Sequence, residues 1–497
     1  MVVVKIMRSI IIITAILLSL QMQAQQVDFS LSHAIKLAQE NSFEAKLAQF
    51  QFTASYWTYR SFKAELLPSV NLTGGLLSFN HSNVEARDAE TGKINYVNNN
   101  SMTNSLTLSV DQQLPTLGGT LSLQSYLYRL DQFDYNLKTY NSQPLRLSYT
   151  QPLRSYNALK WQKKTAPKEY EKAKKVYLEA MEEVAIHTTT LFFSAIMAQS
   201  DYHQNVAKYE DLKRLYEISQ KRFELGTITK GEILQLELSM LNAKVAVTNS
   251  KINMDDRLFS LFSFLRIRDY DGVQLVPPSN IPDITVQADE ILAKALMNSS
   301  HQLSQDLTLL AASQSLASAK SAKGIQLQLR GEVGLNKTAN DFSAVYRHLQ
   351  DNEIVGMTLS MPVFDWGVRK GRVRVAQSNL ELAKTQVEQA QEAYVQNLHQ
   401  QVVQFSFQSD LCQTSMRAQD ISRERYEITK KRFEAGTVSV TELNTAMQEQ
   451  ESAKSQYISQ LQLFWTSYYT LRKATLYDWT TKTDITANFD KIINRKL

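Results

Sequence analysis

Two stretches of this sequence are near copies of each other. Residues 216–244 read YEISQKRFELGTITKGEILQLELSMLNAK, and residues 426–454 read YEITKKRFEAGTVSVTELNTAMQEQESAK, in the same register. In each copy a helical pattern stops at a glycine, Gly226 or Gly436. Glycine suits the left-handed conformation that closes a helix, because it has no Cβ. The pattern therefore predicts a duplicated chain with one helical hairpin in each half.

A second helix is predicted to begin just after each glycine. Thr229 with Glu232, and Ser439 with Glu442, fit the capping box S/T-x-x-E that opens a helix. Apolar residues at spacings of three and four predict the flanking helices over residues 158–225, 232–264 and 368–435, and then from the second glycine turn to about residue 478. A helix of about 65 residues is on the order of 100 Å long.

The composition excludes several classes of protein. A hydrophobic fraction of 43%, a mean hydropathy of −0.30, 15 Gly and 9 Pro suit long helices with narrow apolar seams. The net charge of +5 does not indicate a nucleic-acid partner, and the single Cys412 excludes a disulfide framework. The seven histidines lack metal-ligand spacing, and no phosphate loop or nucleophile motif occurs. We therefore expect no enzyme activity, cofactor or metal.

The first residues have the pattern of a signal peptide. Lys5 and Arg8 precede an apolar run from Ile10 to Leu20, and a cleavage site is expected after Ala24. We assign residues 1–24 to this peptide, so the mature chain is expected to be exported. Because no later stretch reaches 18 apolar residues, any membrane crossing by the mature chain must use strands.

The predicted order of elements is similar in the two halves. Residues 25–265 form the first repeat, 266–287 a linker, 288–478 the second repeat, and 479–497 a C-terminal tail. Each repeat begins with a helix (31–66 and 289–323), followed by strand patterns and then by the long helical hairpin. The polar, Asn-rich residues 81–104 are expected to form a long solvated loop.

The spacing of the repeats predicts an insertion in the first half. Pro152 and Pro362 share the register of the glycine turns, whereas Pro68 corresponds to Ile325. The first half therefore has about 47 extra residues before Pro152, enough for one β-hairpin around residues 106–130. The chain thus has four strands in the main sheet, or six if this hairpin joins it.

A single chain of this kind cannot bury its apolar helix seams or pair its strand edges by itself. A single hairpin of long amphipathic helices leaves its apolar seams exposed. Four to six strands do not close a barrel, and open strand edges are not tolerated in lipid. We therefore expect an oligomer whose strands close one shared barrel.

Over residues 31–478 the chain resembles the TolC family of outer-membrane efflux and secretion channels. The resemblance rests on the duplicated R-F-x-x-G-T tips, on the Pro motifs at Pro152 and Pro362, and on the helix–strand–helix order of both halves. It implies a mainly α fold with a β-barrel portion: long antiparallel hairpins forming a periplasmic tunnel, and a barrel shared by a homotrimer. It also implies a Gram-negative outer-membrane location. The expected partners are a periplasmic adaptor, an inner-membrane transporter and outer-membrane lipids.

The resemblance also assigns candidate site residues. The tip that meets the adaptor would comprise Arg222, Phe223, Gly226, Thr227, Arg432, Phe433, Gly436 and Thr437. Glu232 and Glu442 match acidic positions at the tunnel entrance, although each is equally explained by the capping box. Phe433 and Val438 replace a gate tyrosine and a gate arginine of the best-known member. Closure through apolar packing is therefore an alternative to the hydrogen-bonded latch.

Basic and aromatic residues follow both Pro motifs. They are Lys160, Trp161, Lys163 and Lys164 in the first half, and Trp366, Arg369, Lys370, Arg372 and Arg374 in the second. Aromatic girdles mark membrane interfaces, and basic residues beyond them favour anionic headgroups. These residues are therefore expected to lie at the membrane interface. The alternative is that they form an ordinary solvated helix start.

The predicted function is that of a passive export duct in a tripartite efflux pump, driven by the inner-membrane transporter. An outlet for type I protein secretion is an alternative, because a wide water-filled duct carries little substrate information. An exported coiled-coil structural or adhesion protein is an alternative from another class. A coiled-coil protein of this kind would not require amphipathic strands at corresponding positions in both halves.

Overall fold

The computed structural model describes residues 28–87, 90–226, 228–270, 272–278, 281–282, 284 and 286–494. The predicted signal peptide and the candidate tip residue Thr227 lie outside these residues. Within this part of the chain, no helix is both long and apolar enough to cross a membrane.

Two compact units form from alternating pieces of the chain. Among the described residues, the first contains those within 28–52, 174–300 and 392–494, and the second contains those within Thr53–Ala173 and His301–Gln391. The first unit carries the hairpin tips, and the second carries the main β-sheet.

The helical hairpins confirm the predicted internal repeat. Helix α3 (Ala158–Glu224) and helix α7 (Val368–Glu434) each have 67 residues. The returning helices α4 (Lys230–Leu265) and α8 (Val440–Thr475) each have 36 residues. Helices α3 and α7 begin and end at corresponding positions of the repeat, and so do helices α4 and α8. Their bounds agree with the sequence prediction, except that α8 ends before residue 478.

The helix that opens each half is broken, which the sequence analysis did not predict. In the first half, α1 (Leu31–Asn41) and α2 (Phe43–Glu65) meet at Ser42, which has ψ 155°. The Ser42 hydroxyl accepts a hydrogen bond from the Ala45 amide at 3.1 Å, and so caps the new helix. In the second half, α5 (Ala288–Asn298) and α6 (His301–Lys323) are separated at Ser299, with ψ 166°. The Ser42 side chain thus replaces the helical ladder locally in the first half, whereas the Ser299 hydroxyl accepts a hydrogen bond from Tyr394 at 3.1 Å.

Six antiparallel strands form the main sheet. The first repeat supplies β2 (Ser69–Arg87), β3 (Ile94–Leu114), β4 (Gly119–Gln132) and β5 (Leu137–Pro152). The second repeat supplies β7 (Gln326–Ala339) and β8 (Gln350–Ser360). Their order in the sheet is β2-β3-β4-β5-β7-β8. The extra hairpin therefore joins the sheet, and the chain contributes six strands to it.

The prediction of a long loop over residues 81–104 was wrong. Strand β2 continues to Arg87, and β3 begins at Ile94. The two strands remain paired as far as Arg87 and Ile94. Polar side chains on both faces hide the apolar alternation that reveals a half-buried strand. The backbone ladder nevertheless forms, because it does not depend on side-chain polarity.

The sheet has one apolar face and one polar face. The apolar face carries large side chains that are exposed in the single chain: Val70, Leu72, Leu106, Leu108, Leu121, Leu123, Leu145, Leu147, Val333, Val355, Met357 and Leu359. On the polar face, Arg146 and Arg330 contact Glu332 at 3.4 and 3.0 Å. Asp111 on the same face accepts hydrogen bonds from Ser109 and Ser122.

The main hydrophobic core of the first unit lies between the long helices. It includes Phe192, Phe193, Leu261, Phe262, Leu461, Phe464 and Leu471. The linker region and the tail also pack here. Strand β1 (Asp28–Ser30) pairs in parallel with β6 (Gln274–Val276) from the linker region, and Leu275 and Trp479 are buried. The short strands β9 (Tyr477–Asp478) and β10 (Thr483–Asp484) and helix α9 (Phe489–Asn494) follow.

Candidate functional site

The two hairpin tips have the turn geometry that the sequence predicts. Gly226 and Gly436 have φ of 69° and 81°, in the left-handed region that favours glycine. Their amides donate to the carbonyls of Phe223 and Phe433, each at 2.9 Å. Each tip therefore ends one helix at glycine and starts the next helix four residues later.

The capping boxes are complete at the first tip and half-formed at the second. Thr229 accepts a hydrogen bond from the Glu232 amide at 3.3 Å, and Glu232 accepts one from the Thr229 amide at 2.8 Å. Ser439 accepts from the Glu442 amide at 3.2 Å, but the Glu442 carboxylate lies 3.7 Å from Arg432 instead. The hydrogen bonds from Thr229 lower the pKa of Glu232. Each candidate entrance carboxylate thus has a local partner within its own chain.

The two tips differ in what covers them. Phe433 is only 5% exposed, whereas its counterpart Phe223 is 42% exposed. Arg222 of the first hairpin donates to the Phe433 carbonyl at 3.2 Å and lies against Gly436. The repeat is therefore asymmetric at the tips, because Arg222 of the first hairpin contacts the turn of the second hairpin.

An apolar cluster lies behind the tips and joins all four helices. It consists of Leu212, Leu215, Leu236, Ala243, Tyr426, Phe433, Val440, Leu443, Ala446 and Met447. Phe433 is buried within this cluster. Residues from both hairpins share the cluster, so the hairpins are packed together near their tips.

A polar link between α3 and α7 was not identified from the sequence. Tyr426 and Lys430 donate to the two oxygens of Asp211 at 2.8 and 2.6 Å. Burial raises the pKa of Tyr426, and the hydrogen bond to Asp211 raises it further. The only available signal was the repeated tyrosine at 216 and 426, because Asp211 has Ile421 as its counterpart. A pairing over such a sequence distance follows only from the packing of the two hairpins.

Large apolar side chains are exposed along α4 and α7. On α4 they are Leu234, Leu238, Leu241, Val245, Ile252 and Phe259, which follow spacings of four, three, four, seven and seven residues. On α7 they include Val403, Phe407, Leu411, Ile421 and Ile428. The spacing on α4 is typical of a seam in a coiled coil. Neither stripe is covered by another element within the described residues.

In the second unit, the candidate membrane-interface residues follow the ends of β5 and β8. Trp366 is 87% exposed, and its ring contacts Phe364 with centroids 4.6 Å apart. Arg369 donates to the Ala322 carbonyl at 3.0 Å. In the first repeat, Lys164 lies 5.2 Å from the centre of the Trp161 ring. Lys160 lies at the start of α3, where its amide donates to Asn157 at 2.9 Å.

The described residues contain no group of three or more His, Cys, Asp and Glu side chains that could hold a metal ion. Cys412 is buried, and burial raises the pKa of its thiol to about 11.

Comparisons with known proteins agree with this architecture. Residues 292–475 match the family model described as outer membrane efflux protein. No curated protein sequence matches the chain.

Several solved structures are similar in fold. The CmeC outer membrane channel of Campylobacter jejuni has a TM-score of 0.65 at 17% identity, covering 93% of this chain and 88% of its own. The outer membrane protein VceC of Vibrio cholerae has a TM-score of 0.60 at 13% identity, with coverage of 90% and 96%. The MtrE outer membrane channel of Neisseria gonorrhoeae, in its open state, has a TM-score of 0.58 at 14% identity, with coverage of 92% and 91%.

Proposed function

We propose that this protein is an export duct, because residues 292–475 match the family model described as outer membrane efflux protein and 93% of the chain is covered by the fold of the CmeC outer membrane channel. It is a non-enzymatic transport protein of the Gram-negative outer membrane, with a large helical portion in the periplasm. Three copies form one channel. A periplasmic adaptor and an inner-membrane transporter supply the substrate and the energy.

The observation that carries the proposal is the two-faced sheet with open edges. Its apolar face presents residues such as Leu72, Leu147 and Met357 without any covering element. Its polar face holds the charged group around Glu332. Strands β2 and β8 each lack a neighbour on one side within the described chain. A sheet of this kind is stable in lipid only when further copies close its edges, with the polar face toward water.

The exposed helical stripes support the same assembly. The α4 stripe around Leu238, Leu241 and Val245 has the heptad spacing that buries apolar residues between helices. Another copy of the chain supplies helices of the same length, and the α7 stripe is an apolar surface that a neighbouring α4 can cover. Trimerisation thus satisfies the sheet edges and the helical seams together. Three copies of six strands make an 18-stranded barrel.

The tips are the proposed docking site for the adaptor. Phe223 and Leu225 are exposed at the first tip, whereas Phe433 at the second is buried. We therefore assign the larger part of the apolar contact to the first hairpin. Glu232 and Glu442 stay at the proposed entrance as capping and ion-paired carboxylates. Both have partners that reduce the repulsion of a ring of like charges.

The exported coiled-coil alternative makes a different prediction for conductance. A channel should produce discrete conductance steps when the purified full chain is reconstituted in a planar lipid bilayer, and its mass in mild detergent should equal three chains. A coiled-coil adhesion protein would give no conductance. A stable single chain in detergent without conductance would refute the proposal.

A further inference from the structure

Helices α3 and α7 both have cationic residues near their N-termini, where positive charge lowers helix stability. Neither helix has an acidic residue in its first turn. Lys160 lies in the first turn of α3, and Arg369 and Lys370 lie in that of α7. The N-terminal end of a helix carries partial positive charge, so cations there are unfavourable. The same unfavourable choice occurs in both repeats. Arg369 is offset by an ion pair with Asp365 at 3.7 Å, whereas Lys160 and Lys370 form no ion pair within the described residues, so their placement has no evident gain inside the chain.

The cations of the second repeat are available for such a partner. Lys370, Arg372 and Arg374 are exposed. They take part in no ion pair within the described residues. The nearest acidic residue in sequence, Asp365, is already engaged, since it accepts from the amides of Gly367 and Arg369, each at 3.0 Å. A net positive surface therefore remains beside the sheet.

Exposed apolar and aromatic side chains lie directly before these cations. Val363, Phe364 and Trp366 are each more than two thirds exposed, and they follow the end of β8 at Ser360. Trp366 is held in the left-handed region with φ 54°. A non-glycine residue in this conformation costs energy, and residues strained in this way cluster at functional sites. The apolar face of the sheet is thus extended by side chains that favour the boundary between lipid and water.

The first repeat has a weaker copy of the same arrangement. Leu153 is exposed after β5, and Lys160, Lys163 and Lys164 are exposed at the start of α3. Trp161 is partly buried and contacts Lys164. Both strand ends that lead into the long helices therefore carry apolar side chains first and cations second.

We propose that these two segments, residues 153–164 and 361–374, form a binding belt for anionic phospholipid in the inner leaflet of the outer membrane. The inference rests on the proposed function for the placement of the sheet in a membrane. Aromatic side chains occupy the headgroup boundary, and the cations just beyond it contact phosphate groups. Each basic residue close to an anionic lipid surface strengthens association about fivefold. The belt therefore prefers phosphatidylglycerol to a zwitterionic lipid.

Tryptophan quenching by brominated lipids measures this preference. The full chain is reconstituted, and quenching is compared for dibrominated phosphatidylglycerol and dibrominated phosphatidylcholine. The signal of Trp366 is isolated as the difference from the Trp366→Phe variant. We expect phosphatidylglycerol to bind several-fold more tightly. The triple variant Lys370→Gln, Arg372→Gln, Arg374→Gln should reduce that preference by at least about fivefold.

A matched control removes three exposed cations elsewhere. Lys36→Gln, Lys244→Gln, Arg268→Gln changes the net charge equally and should leave the lipid preference unchanged. A second measurement uses the unmodified protein, so that it does not depend on folding of a variant. Raising the salt from 0.1 to 1 M shortens the screening length from about 10 to about 3 Å and should weaken the preference.

Three results would overturn the proposal: equal binding of the two phospholipids, an equal loss in the control variant, or tighter binding of lipopolysaccharide than of phosphatidylglycerol. The last would place the segments at the outer leaflet. Conductance measured on the same samples separates this proposal from the proposed function. Channels that conduct normally without a preference for anionic lipid would refute the belt alone.

Discussion

Replacement of Arg472 by methionine should destabilise the first unit strongly, because it leaves a buried carboxylate without its cation. The Glu182 side chain on α3 is nearly inaccessible, and it lies against Arg472 on α8. Arg472 donates to Glu182 at 3.1 Å, and its Nε lies 3.0 Å from the other carboxylate oxygen. Removal of one partner from a buried ion pair costs about 3–5 kcal/mol.

The neighbouring pair provides a matched control on the same two helices. Lys473 contacts Glu183 at 2.8 Å, but both side chains are about half exposed. An exposed pair of this kind contributes about 0.2–1 kcal/mol. Lys473→Met should therefore have a small effect, and the difference between the two variants reports the burial of the Arg472 site together with its second contact, to Asp478 at 3.1 Å.

Guanidinium unfolding in mild detergent, followed by tryptophan fluorescence, measures the free energies. Trp479 is a suitable probe, because it is buried near the end of α8. The double variant Glu182→Met, Arg472→Met should recover the part of the lost stability that comes from the unpaired Glu182, since an apolar pair can replace a buried ion pair at little cost, but not the part that comes from the contact of Arg472 with Asp478 at 3.1 Å. A loss below about 1 kcal/mol for Arg472→Met, or a double variant no more stable than the single one, would refute the reasoning.

The pH dependence of the Arg472→Met variant gives an independent check. Burial already raises the pKa of Glu182, and the variant lacks the opposing charge of Arg472. The folded-state pKa therefore lies above that of the unfolded chain, so the folded variant holds a proton that the unfolded chain has lost. Its stability should rise as the pH is lowered from neutral, by at most about 1.4 kcal/mol per pH unit.

Three further predictions concern other parts of the first unit. Leu238→Asp with Val245→Asp should convert the proposed trimer into smaller species in light scattering, because charges enter the proposed seam between copies; an unchanged mass of three chains would argue against that seam. Gly436→Ala should lower the unfolding free energy by about 1 kcal/mol more than Gly226→Ala, because only at the second turn would a new Cβ lie 2.5 Å from Nη2 of Arg222 and displace the guanidinium group, whose Nη1 donates to the Phe433 carbonyl; equal losses would contradict this. Burial raises the pKa of Asp478, but hydrogen bonds and a nearby arginine hold it at about 2, below its usual 3.8, so the stability that Asp478 provides is present above about pH 4 and lost toward pH 2. Asp478→Asn should accordingly be destabilising at pH 6 and nearly neutral at pH 2 in the same unfolding assay.

The helical hairpins were predictable because their signals are local. The glycine at each turn, the capping residues Thr229 and Ser439, and the spacing of apolar residues all act within a few positions of each other. The duplicated register then aligns the two hairpins without any knowledge of their packing. The helix bounds observed for α3, α4 and α7 agree with these local signals.

Other features were invisible or misread because they depend on partners far along the chain. The polar ends of β2 and β3 carry no apolar alternation, and only their mutual ladder identifies them as strands. The breaks at Ser42 and Ser299 lie in segments that are helical by periodicity. At Ser42 the serine hydroxyl caps the following helix, and at Ser299 the hydroxyl accepts a hydrogen bond from Tyr394, which lies far along the chain. Membership of the extra hairpin in the sheet was likewise undecided until β4 and β5 were seen to pair with their neighbours.

The asymmetry of the tips shows most clearly where sequence reasoning ends. The repeat makes Phe223 and Phe433 equivalent, yet one is exposed and the other is buried beneath Arg222 of the opposite hairpin. Turn geometry, helix length and strand polarity follow from the residues themselves, since each is decided by short-range backbone and solvation preferences. Which of two equivalent side chains is covered, and which carboxylate meets Tyr426 or Arg472, is decided only when the hairpins pack, because those contacts join residues more than 200 positions apart.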